Sequence, residues 1–278
     1  MSLSNSEWKE TDFGRIPNEW DLKKIIDLKA NEKSALAMGP FGSNIKADNF
    51  VPVGVPVIRG TNLNYSKYVD GNFVFLTEEK ADELSSSNCK PGDIVFTHRG
   101  TIGQVGLIPE NKYPRYVISQ SGMKLSVNKD LISSDFLLYF FKSVYGQHQL
   151  LKNESQVGVP SISNPLTSLK EIQVPVPSLP EQRAIASILS RLDDKIDLLH
   201  RQNKTLEQLA ITLFRQWFTE NADESSDEMR LSEIADHIKE SINPVKFADT
   251  YFFHYSIPSY DEGMEPKLER GNTILYYL

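Results

Sequence analysis

A chain of 278 residues, 40% hydrophobic and 10% aromatic, carries enough apolar material for a buried core and is not a disordered polymer. Its net charge of −7 sits at one end: residues 1–180 hold 19 basic and 19 acidic side chains and 181–220 six of each, leaving 5 and 12 for 221–278. The neutral main body admits nucleic acid only through a local basic patch. The single cysteine, Cys89, excludes an intrachain disulfide and cysteine-rich zinc sites and suits a reducing cytoplasm; no apolar run is long enough to span a membrane.

In chain order, residues 22–27 predict a short amphipathic helix, and 39–46 (GPFGSNIK) a turn-rich loop. Residues 55–58 predict a strand running into the polar turn Arg59-Gly60-Thr61-Asn62, and 73–76 a strand before one helical turn at 77–84. A strand pair, 93–97 and 104–108, is joined by His98-Arg99-Gly100-Thr101; residues 116–127 read as a strand broken at Ser121-Gly122. Residues 136–151 predict one helix with an aromatic face, and 171–176 a last strand. Many short strands without βαβ alternation give an α+β class and a mixed domain over 1–177.

Residues 178–220 predict a long rod. Ser178 and Glu181 form a capping-box pattern with Pro180 in the first turn, and no further glycine or proline follows until Pro244. Apolar residues recur at heptad spacing in two rows. One is Ile185, Leu192, Leu199, Leu206 and Leu213; the other is Leu189, Ile196, Asn203, Ala210 and Trp217. About 40 residues at 1.5 Å each make about 60 Å of helix, and a heptad seam of that length needs a partner helix, with Asn203 fixing register. After the rod, Leu231-x-x-Ile234-x-Asp236 repeats Leu22-x-x-Ile25-x-Asp27, so 221–278 is expected to be the acidic, truncated start of a second domain.

Four stretches, GPFGSNIK (39–46), GVPVIRGTNL (54–63), PGDIVFTHRGTIGQVGLIP (91–109) and the run 155–196 continuing to Phe218, resemble the specificity subunits of type I restriction-modification enzymes. The resemblance implies a target-recognition domain that binds double-stranded DNA, with no catalytic centre. It also implies a spacer helix that pairs with a second one and sets the distance between two half-sites. Methyltransferase and restriction-translocase subunits are the implied partners, and S-adenosylmethionine, ATP and Mg are expected in them and not in this chain. With one rod in the sequence, self-association as a homodimer on a palindromic split target is expected. The alternative is a silent specificity fragment that captures methyltransferase subunits without productive DNA recognition.

Base recognition needs hydrogen-bonding side chains in exposed loops, plus donors for phosphates. Ser43, Asn44 and Lys46 offer these in one loop, which is otherwise a structural turn. Arg59 either touches DNA or orients its loop. Thr97, His98, Arg99 and Thr101 form a hairpin tip, where Arg99 can grip guanine or phosphate. Lys112, Arg115, Gln120 and Lys124 make a basic cluster or a solvated face; Ser155 and Gln156 belong to the last candidate loop. An enzymatic role lacks support, since Asn164-Pro165-Leu166 and Asn243-Pro244-Val245 fail the Asn/Asp-Pro-Pro-aromatic pattern of DNA methyltransferases, and Gly100-x-x-Gly103 lacks the Lys-Ser/Thr of a phosphate loop.

Overall fold

The computed structural model describes residues 8–12, 14–41, 44–63, 67–155, 158–220, 229–230, 233, 235–236, 242–255 and 266–273. It forms two compact units, Met1–Ala210 and Ile211–Leu278.

The first unit opens with a hairpin of β1 (Trp8–Thr11) and β2 (Gly14–Pro17), followed by β3 (Asp21–Lys24) and the single turn α1 (Ile25–Leu28). Then come β4 (Leu36–Met38), β5 (Val55–Ile58), β6 (Val74–Leu76), α2 (Glu78–Glu83) and β7 (Asn88–Cys89). Strands β8 (Ile94–Thr97), β9 (Val105–Leu107), β10 (Tyr116–Ile118) and β11 (Gly122–Leu125) precede helices α3 (Ser134–Lys142) and α4 (Val144–Leu151). A short pair, β12 (Glu154–Ser155) and β13 (Ser161–Ile162), leads to α5 (Pro165–Glu171), β14 (Gln173–Val176) and the 37-residue α6 (Leu179–Arg215).

Two four-stranded sheets carry the core, in the orders β6-β5-β10-β7 and β4-β11-β8-β9. All pairs are antiparallel except β5 with β10. Strands β5, β8, β9, β10 and β11 are buried along their whole length, as short, largely apolar runs are when both faces are covered. Phe96 meets Phe141 edge-on at 4.8 Å, joining the second sheet to α3.

Three expectations are corrected. Residues 22–27 are half strand, because Asp21–Lys24 is claimed by β14 in antiparallel register, and only the last part turns helical. Residues 136–151 are two helices: the Ser143 hydroxyl accepts from Gly146 N at 3.1 Å and starts α4 afresh. The last expected strand is also shorter, since 165–171 is helical.

Helix α6 begins at Leu179, and a π turn, Gln216–Glu220, follows it. Glu181, expected to reach back to the Ser178 N–H, instead turns its Oε1 to Trp20 Nε1 at 3.1 Å. Buried Gln182 fixes the first turn: its Oε1 accepts from Ser133 N at 2.8 Å, and its Nε2 donates to the carbonyls of Pro177 at 2.9 Å and Leu131 at 3.2 Å. No described helix is long and apolar enough to cross a membrane.

In the second unit, Tyr251–His254 and Lys267–Arg270 pair antiparallel. Of the repeated motif expected there, Leu231 and Ile234 lie outside the described residues.

Candidate nucleic-acid interface

Strand pairing decides which loops meet. Because β5 and β10 run parallel, with Ile58 beside Ile118, Arg59 and Ser119 leave the sheet at the same edge. Gly122 pairs with Thr97, so the loop after β8 emerges beside the 119–121 turn. Backbone bonds tie the three together: Ser119 N donates to Ile58 O and His98 N to Ser121 O, both at 2.9 Å. Residues 160–162 join them, since Gly100 N donates to Pro160 O at 2.9 Å and Ile162 N to His98 O at 2.8 Å. The glycine-rich loop after β4 is held close as well: a Cβ on Gly39 would lie 1.8 Å from Ser119 O, so only glycine permits the approach.

These loops enclose a shallow cavity of about 380 Å³ lined by Arg59, Gly60, Thr61, Thr97, Arg99, Thr101, Gln104 and Ser121. Every charge in the lining is positive. Arg59 and Arg99 are exposed, and among the described residues neither has a carboxylate partner. Asn62 orients the first of them: its Oδ1 accepts from Arg59 N at 3.0 Å while its Nδ2 donates to Asp70 O and Asn72 O. At the second, Gly100 turns with φ +82°, in the left-handed region that a side chain would strain, and leaves Arg99 at the tip. Thr101 is exposed beside it.

The remaining expected residues divide sharply. Thr97 is buried, and its hydroxyl closes the hairpin by donating to Thr101 O and accepting from Gln104 N at 3.1 Å. His98 is only 7% exposed, and its ring is held by the Gln120 carbonyl, with Nε2 buried and without a partner among the described residues. Burial pushes its pKa below the ordinary imidazole value, which the Gln120 carbonyl only partly opposes. Gln120, Asn44 and Lys46 are exposed, and Ser155 is half-buried in its bridge to Ser161. Ser43 and Gln156 lie outside the described residues.

Three cations are placed elsewhere than a common basic cluster. Lys124 is internal, 4% exposed, and its ammonium is taken by Asn88 O with the Asp93 carboxylate 3.9 Å away. Arg115 precedes β10, at the end opposite Ser119, and is shared between Asp82 at 2.6 Å and Glu78; these bonds, Asp82 first, raise its pKa. Lys112 pairs with Asp70 and lies over the Phe73 ring. Gln104 and Ser121, by contrast, line the cavity although no motif in the sequence marks them. Their only signal is position: each immediately precedes a strand, β9 or β11, at the edge where Arg59 and Arg99 emerge.

Such a lining, two exposed guanidiniums among neutral hydroxyl and amide groups, suits an anionic ligand with hydrogen-bonding edges. Guanidinium can grip guanine O6 and N7 or a phosphate in bidentate fashion, and Gln and Thr can take other base edges.

The heptad rows of α6 lie largely open. Ile185 and Leu189 are half-buried, whereas Leu192 is 59% and Leu206 is 61% exposed. Ile196, Leu199, Asn203, Ala210 and Trp217 are exposed too, and Leu213 is half-buried.

The family model for the type I restriction modification DNA specificity domain matches residues 18–208. A type I restriction enzyme specificity subunit of Methanocaldococcus jannaschii is 33% identical over 215 residues, covering 77% of this chain and 47% of that protein. The specificity subunit of a Haemophilus influenzae type I enzyme is 30% identical over 133 residues, 47% of this chain and 28% of its own length. The chain thus spans about half the length of the first of these relatives. Among solved structures, an S subunit from M. genitalium superposes with a TM-score of 0.51 at 18% identity, covering 90% of this chain and 62% of that one, a likeness of fold. By its sequence, the chain belongs to the family of type I restriction-modification DNA specificity domains.

Proposed function

We propose that this chain recognises a specific DNA sequence through the edge formed by residues 59–62, 97–104 and 119–121, and performs no chemistry itself. The observation that carries the proposal is the convergence of two guanidiniums, without a carboxylate partner among the described residues, with Thr61, Thr101, Gln104 and Ser121 on one cavity. Asn44 and Lys46, exposed in the loop after β4, contact phosphates alongside. Bound to its site in the cytoplasm, the chain directs methyltransferase and restriction-translocase subunits, which supply S-adenosylmethionine, ATP and Mg. Two copies pair their α6 helices antiparallel along the open heptad rows, so that identical domains face a palindromic split target.

Selection from a random duplex library by the chain assembled with its methyltransferase subunits tests the proposal. One sequence should be enriched over scrambled competitor, and Arg99→Ala should cost about 1–3 kcal/mol of discrimination at one base pair. Binding without enrichment at any salt concentration would overturn it.

A further inference from the structure

Beyond the anchored first turn, a second set of bonds ties α6 to the domain, and it is polar. Lys67 is 8% exposed. Its ammonium lies 2.7 Å from Asp135 Oδ1, donates to Ser190 Oγ at 2.9 Å and sits over the Tyr68 ring. The Tyr139 hydroxyl reaches the same place, 2.8 Å from Asp193 Oδ2 and 3.2 Å from Ser190 Oγ. Asp135 and Tyr139 stand one turn apart on α3; Ser190 and Asp193 stand one turn apart on α6. Burial alone would lower the Lys67 pKa, but the Asp135 carboxylate and Tyr68 outweigh it and keep the ammonium charged.

Gln182, Ala186, Ser190 and Asp193 fall on one stripe of α6. At about 100° per residue, that stripe lies roughly 100° around the helix from the heptad rows. The bonds therefore hold one face against the domain and turn the seam to a fixed azimuth. From Leu198 to Ala210 every residue of the helix is exposed, so nothing in this unit corrects its direction afterwards. The 17 residues after Asp193, through Ala210, make a lever of about 25 Å, and a tilt of about 10° at its base displaces the far end by about 4 Å. That exceeds the spacing of about 3.4 Å between successive base pairs. An apolar contact tolerates such a slide, whereas directed bonds to a buried ammonium have one register.

We infer that the Lys67–Tyr139–Ser190–Asp193 knot sets the angle and rotation at which α6 leaves the recognition domain, and thereby the number of base pairs permitted between two half-sites. The inference rests on the proposed pairing of two copies, and these four side chains act as positioning residues that touch no DNA.

The test uses the chain assembled with its methyltransferase subunits, as wild type, Tyr139→Phe and Lys67→Met. Binding is measured to a single half-site and to split sites whose spacer varies one base pair at a time. Tyr139→Phe should keep half-site affinity within about twofold while its preference for one spacer, about tenfold or more in the wild type, flattens. A variant that retains the sharp spacer preference overturns the inference, as does loss of half-site binding in step with spacer preference. Because Lys67→Met can fail to fold, a DNA-independent measurement accompanies it: the distance distribution between spin labels at Lys33→Cys and Glu207→Cys. It should broaden in Tyr139→Phe; an unchanged width overturns the inference even where the wild type binds no DNA. A wild type without half-site affinity, but with the broadening, sinks the proposed DNA recognition alone.

Discussion

Two stretches of one helix share a heptad pattern and meet opposite fates. From Gln182 to Asp193, α6 is woven into its own domain: Gln182 and Ala186 are buried, and Ser190 and Asp193 are bonded to α3 and Lys67. From Leu198 to Ala210, no side chain is buried, although leucine recurs there as regularly. The difference teaches that the domain holds the helix mainly by a separate stripe, takes only Ile185 and Leu189 of the heptad rows into partial burial, and leaves Leu192 to Leu206 open. Burying an exposed leucine is worth about 1.5–3 kcal/mol, so Leu192, Leu199 and Leu206 left in water favour a second helix strongly.

The comparison breaks most visibly at Leu199. Leu199→Asp puts a carboxylate in the middle of the open rows and should convert dimers to monomers at micromolar concentration in sedimentation velocity, with little change in melting temperature. A monomeric wild type would contradict the pairing. Next in size, Gln182→Ala should erase the difference between the two stretches. It orphans Ser133 N–H and two carbonyls and should cost about 2–3 kcal/mol in urea unfolding. A loss below half a kcal/mol would show that the stripe is held by Ala186 and its neighbours alone.

The smallest effect sharpens a contrast at the interface, between exposed Arg99 and buried His98. Because burial lowers the His98 pKa, the unfolded chain binds the proton more readily. Stability from this group is therefore complete above the unfolded value of about 6.5 and declines as pH falls from there through the folded pKa. The melting temperature of the wild type should drop more between pH 7.5 and 5.5 than that of His98→Gln; equal drops would mean the ring is solvated.

Much of this architecture was legible from residue patterns. Heptad spacing and the absence of glycine and proline gave the length of α6, and glycine-flanked Arg59 and Arg99 marked loop tips. What escaped depended on partners distant in the chain. Strand β11 is buried on both faces, so Lys124 shows no alternation to betray that its ammonium serves Asn88 and Asp93. Arg115 and Lys112 read as free cations because Glu78, Asp82 and Asp70 come to them through tertiary structure. The convergence of 59–62 with 97–104 follows from the parallel β5–β10 pair, which no local signal announces. Ser143 did leave a trace: a serine three residues before a glycine, capping α4 inside what otherwise scans as one helix.

The most direct test maps methylated bases in the DNA of cells that express this chain with its methyltransferase subunits as the sole modification system. Two identical recognition domains held apart by paired helices predict one split motif whose halves are inverted copies, lost with Arg99→Ala and Leu199→Asp. An asymmetric motif, or methylation with no motif, would contradict the account.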